Sequence, residues 1–124
     1  MARCRRGFER LVERALQRIP PRFREAMANL AIVVEDWPDP ALMEEIYGDP
    51  EEVLYGLFEG TPLPERGVED SGDLPAVIHL YRGPLEQDYA DRGELERELE
   101  VTLVHEIAHF MGLDESTIRE YGYE

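Results

Sequence analysis

Lysine is absent from this chain of 124 residues, and cysteine occurs once. The lone Cys4 has no partner for an internal disulfide, which fits a reducing, cytoplasmic setting. As a metal ligand Cys4 is a poor candidate; it reads as a free thiol near the chain end. No apolar run approaches the roughly 20 residues that a membrane span needs. The arginines at the start are not followed by an apolar h-region, so a secretory signal is not expected. Repeats and low-complexity tracts are absent as well.

What is present is acid. The net charge is −15, and all thirteen basic residues are arginine. Eight of them fall in residues 1–24 beside two acids, which leaves +6 there and −21 over the remaining hundred residues. So acidic a body argues against nucleic acid as the main partner. A cleft sharing that charge favours basic or neutral peptides. The arginines are read as pairing with the acidic body; contact with nucleic acid or anionic lipid is the alternative. Hydrophobic residues make up 43% and charged residues 33%, the balance of a soluble globular protein. Length then sets a single domain over residues 1–124, large enough for a real core.

Along the chain, Phe8, Leu11, Val12, Ala15, Leu16 and Ile19 recur at helical spacing, and Pro20-Pro21 ends that helix. Residues 22–30 allow another turn or two. Leu30 to Glu35 reads as a strand, Ala41 to Ile46 as a short helix and Leu54 to Glu59 as a second strand. Gly60 to Gly72 is a long connection. It is read as solvated, with a cleft border as the alternative. Ala76 to Arg82 is the third strand, with Val77, His79 and Tyr81 on one face and Ile78 and Leu80 on the other. His79 reads as a half-buried strand histidine.

The segment His105-Glu106-Ile107-Ala108-His109-Phe110-Met111-Gly112-Leu113-Asp114-Glu115 carries the chemistry. Leu95 to Met111 holds no proline or glycine and is expected to be helical. The acidic run Asp91 to Glu100 suits its N-terminus. Along it His105, His109 and Val101 share one side, while Leu103, Ile107 and Phe110 lie roughly opposite. Two histidines one turn apart can grip a single ion, and the glutamate between them can act on water. Gly112 can end the helix with positive φ and bring Asp114 or Glu115 towards the same ion. Metzincins carry a third histidine where Glu115 stands, and a carboxylate oxygen is an acceptable zinc ligand. Glu115 is therefore the favoured third ligand. Asp114 is the alternative, better used as the N-cap of a short helix 115–120. With Glu124 as the last residue, neither a downstream Met-turn nor a glutamate from a later helix is expected. Tyr81, Tyr121 and Tyr123 are weak candidates to stabilise an oxyanion and read first as packing residues. The same residues fit a zinc-dependent hydrolase or a non-catalytic zinc-binding module. An interaction protein working through the Arg-rich helix is a third reading.

A set of segments in order resembles the small bacterial zincin-like metallopeptidases, the minimal zincins. They are Phe8–Glu13, Val33–Glu35, Leu54–Leu63, Leu74–Arg82 and Thr102–Leu113. The resemblance implies a small α+β fold, a short mixed sheet packed by an N-terminal helix and a C-terminal HExxH helix. It also implies a peptidase acting on a peptide or protein substrate, with Zn²⁺ held by His105, His109 and Glu115, and Glu106 as general base. The family usually places an aspartate where this chain has Glu115. By resemblance, the strand 76–82 is the candidate edge for pairing with substrate backbone.

Overall fold

Phe8, Leu11, Val12 and Ala15 recur every three or four residues, and helix α1 (Arg5–Arg18) buries all four. The computed structural model describes residues 5–49, 53–62 and 76–123. Cys4 and most of the connection 60–74 lie outside them. Pro21 opens helix α2 (Pro21–Ala26), where its missing N–H costs no helical hydrogen bond. A 3₁₀ turn over 27–29 follows, so the expected extra turns are present. Strand β1 (Leu30–Glu35) keeps its expected bounds, and Asp39 caps helix α3 (Pro40–Tyr47) through the backbone N–H of Ala41.

Strand β2 (Gly56–Glu59) begins two residues later than the sequence implies. Strand β3 (Ala76–Tyr81) stops one residue short of Arg82, because Arg82 starts helix α4 (Arg82–Asp88). That helix is not anticipated: Gly83 and Pro84 depress helix propensity, but proline is tolerated in a first turn. The sheet order is β1-β3-β2, with β1 parallel and β2 antiparallel to β3. The mixed α+β architecture expected from the sequence is thereby present. β3 is the central strand. Both its edges are paired, so it cannot accept a substrate strand; the edge beside the long helix belongs to β2.

Helix α5 (Arg92–Met111) is the axis of the molecule and packs on α1, α2, α4, α6 (Glu115–Glu120), β2 and β3. Asp91 caps it through the backbone N–H of Glu94, which meets the acidic-start expectation. Leu95, Leu99, Leu103, Val104, Ile107, Ala108 and Phe110 are fully buried and join the α1 residues with Ile78 and Leu80 in one core. The α1–α5 seam also holds a charge. Glu96, its side chain only 8% exposed, receives Arg14 Nε at 2.8 Å and Arg18 Nη2 at 2.9 Å. Part of the basic N-terminal segment thus neutralises the acidic body, as read from the sequence. Among the described residues no helix is long and apolar enough to cross a membrane.

Candidate active site

The apolar side of α5 faces the core, and the opposite side carries His105 and His109, one turn apart. Gly112 ends the helix at φ 74°. Leu113 N–H donates to the Ala108 carbonyl (2.9 Å) and Gly112 N–H to the His109 carbonyl (3.1 Å). This Schellman closure needs a left-handed residue, which only glycine adopts freely. The chain then reverses, and Asp114 caps α6 by accepting from Thr117 N–H at 2.9 Å. That hydrogen bond holds the Asp114 carboxyl below its ordinary pKa. Asp114 is thereby committed to capping, and Glu115, the next residue, faces His105.

His105 Nε2 lies 3.0 Å from the Tyr123 carbonyl. A carbonyl can only accept, so this nitrogen carries the proton and neutral His105 keeps its lone pair on Nδ1. That nitrogen stands 4.0 Å from Glu115 Oε1. Two zinc bonds of about 2.1 Å at a tetrahedral angle would separate their donors by roughly 3.4 Å. A histidine that donates its other ring N–H to a backbone carbonyl is also the usual support for a metal ligand. His109 turns differently: its Nδ1 is 3.4 Å from Glu106 Oε1. The hydrogen bond to Glu106 raises the His109 pKa, with burial opposing.

Glu106 faces inward, its side chain 13% exposed. The Tyr55 carbonyl accepts from Tyr81 N–H, so by alternation the N–H of Phe58 points away from β3. It donates to Glu106 Oε1 at 2.8 Å, tying the carboxylate to the edge of β2 turned away from β3. Such close approach of β2 to α5 depends on Gly56. A Cβ there would lie 2.8 Å from the Thr102 methyl and 3.2 Å from the His79 carbonyl.

Two imidazoles and a carboxylate fit zinc by donor chemistry. His105 and Glu115 already oppose each other, whereas His109 is turned towards Glu106. Among the described residues no three His, Cys, Asp or Glu side chains are grouped so as to hold a metal ion as they stand. His109, the candidate that must reorient, has a side chain 52% exposed, and Glu115 is 67% exposed.

The other candidates sit elsewhere. His79 Nδ1 meets Glu35 Oε1 at 2.5 Å on the outer sheet face, with Glu59 at 3.7 Å from Nε2, so it is a strand histidine as read. Tyr81 stacks beside it and packs with Met43 and Leu54. Tyr123 is buried and donates to Glu100 at 2.5 Å. The Tyr121 ring packs edge-on against Phe23, and its hydroxyl accepts from Arg22. All three act as packing residues. Sequence reasoning missed the Phe58 N–H and the Tyr123 carbonyl, backbone groups with no side-chain signature. It also missed a cavity of about 310 Å³ that His105, Glu106 and Glu98 line.

A search of curated proteins finds no match. Among solved structures, the chain is similar to a conserved hypothetical protein from Thermus thermophilus. Identity is 28% and the TM-score 0.54, with 94% of this chain and 99% of that one covered. The model of the zincin-like metallopeptidase family matches residues 27–123, which span β1, the sheet and the whole HExxH helix. The chain belongs to the zincin-like metallopeptidase family.

Proposed function

We propose that the protein is a zinc-dependent peptidase in which His105, His109 and Glu115 hold Zn²⁺ and Glu106 is the general base. The observation that carries this reading is the inward-facing Glu106, held by Phe58 N–H on the side of β2 turned away from β3 and carried on the same helix as the two histidines. Bound zinc supplies Lewis acidity, polarising a carbonyl and acidifying water. Glu106 takes the proton of the attacking water and delivers it to the leaving amine nitrogen. Its anchor on Phe58 N–H keeps the carboxylate within reach of an extended peptide laid along β2. The Tyr123 carbonyl holds the His105 ring in one tautomer and one orientation.

A non-catalytic zinc-binding module is the second reading. The Phe58–Glu106 hydrogen bond favours it, since Glu106 Oε1 is already occupied by a backbone N–H that a structural carboxylate would keep. One experiment separates the two. Hydrolysis of a peptide library is followed for wild type, Glu106→Gln and chelator-treated protein, with zinc content measured in parallel. A peptidase loses about 10²-fold or more of its activity in Glu106→Gln while keeping its zinc. Cleavage that survives both treatments would sink the mechanism, and zinc binding without any cleavage establishes the module.

A further inference from the structure

The cavity beside His105 and Glu106 lies between α5 and the segment 53–56 that enters β2, with Tyr47 at its rim. At about 310 Å³ it is at the small end of ligand pockets, room for one long side chain rather than a folded segment. Its walls are of two kinds. Tyr47, Val53, Tyr55 and Val101 offer rings and branched aliphatic groups, and Glu98 offers a carboxylate. Glu98 accepts from the Tyr89 hydroxyl, and His105 and Arg97 act on it electrostatically. Burial raises its pKa, with Tyr89, His105 and Arg97 opposing.

We propose that this cavity is a subsite for an arginine or lysine side chain of the peptide substrate, next to the scissile bond. The substrate role rests on the peptidase reading. A methylene stem would lie along Val53 and Val101, as long basic side chains do on apolar surfaces. The tyrosine faces would meet the cationic head, and Glu98 would pair with it. Leucine or phenylalanine would fill the same volume but strand the carboxylate. Glutamate would add repulsion from Glu98 and Glu106, in a chain whose net charge is −15.

The test is a titration of the intact ¹⁵N-labelled protein with Nα-acetyl-arginine N-methylamide, against its uncharged citrulline counterpart. The amides of Gly56, Glu98, Val101 and Thr102 are expected to shift with the arginine compound. Citrulline should bind about tenfold more weakly. Glu98→Gln, which still accepts from Tyr89, should erase that difference. Tyr47→Ala, a substitution at a half-exposed ring, should weaken the arginine compound severalfold without unfolding the protein. Equal binding of the two compounds, shifts elsewhere, or no shift at the solubility limit overturns the inference. The peptidase reading is judged separately. Library cleavage with no preference for Arg or Lys beside the cut rejects the subsite and keeps the peptidase. Glu98-dependent arginine binding without cleavage keeps the cation-binding pocket and rejects the peptidase.

Discussion

At the scale of single residues, neighbours with similar side chains have been given different work. Asp114 and Glu115 are consecutive acids, yet the shorter one reaches back to Thr117 N–H while the longer one reaches His105. Substitutions should therefore separate cleanly. Glu115→Gln is expected to lower zinc affinity at least about tenfold with little change in melting temperature. Asp114→Ala should lower the melting temperature and leave zinc affinity within a few-fold. Competition with a zinc chelator, beside thermal melts, reads both, and the reverse pattern would move the ligand to Asp114. Tyr81 has a different signature. Burial, with Glu35 and Glu59 nearby, pushes its hydroxyl up to about 12. A folded-state pKa above the unfolded value of about 10 favours the protonated folded form. Its contribution is thus complete below pH 10 and is lost as pH rises towards 12. Urea melts across this range should show falling stability, and Tyr81→Phe should make the fall shallower.

Between elements, the closest decision is the seating of β2 on α5. Gly56 leaves no room for a Cβ against Thr102, and this contact sets how near Phe58 N–H comes to Glu106. Gly56→Ala is expected to cost roughly 1–3 kcal/mol by overpacking. Thr102→Ser, which removes the obstructing methyl, should recover part of it in the double variant, as read by denaturant unfolding. Additive losses would mean the methyl is not the obstacle. Most elements were legible beforehand because their signals are local: the α1 stripe, Pro20-Pro21, the β-branched run of β1 and the unbroken α5. Helix α4 was not. Its Gly83-Pro84 reads as a breaker, whereas the structure uses both in a first turn and seats Gly83 against the Trp37 indole, where no Cβ fits.

For the whole molecule, charge is the strongest global property. The excess of acids over arginines outside the first 24 residues leaves the fold working against its own repulsion. Screening acts over about 10 Å at 0.1 M salt. Added sodium chloride should therefore raise the melting temperature, even though the exposed arginines of the Glu96 cluster lose some attraction. A calorimetric series in salt checks this; a falling melting temperature would mean that the ion pairs outweigh the repulsion. The same field would attract basic peptides to the cleft, consistent with the acid that lines the cavity.

By itself the sequence determined the helix that carries His105, Glu106 and His109, the left-handed turn at Gly112 and the Asp114 cap. Each of these depends on residues within a few positions of one another, where backbone sterics and hydrogen-bond reach leave little choice. Only the tertiary structure decided that β3 is central and β2 the edge, because strand order arises from contacts between distant segments. It likewise decided that Glu106 meets Phe58, that His105 meets Tyr123 and that a cavity lined by Glu98 adjoins them. Those partners are main-chain groups and packed surfaces, brought together by burial of the α5 core, and no local pattern of side chains encodes them.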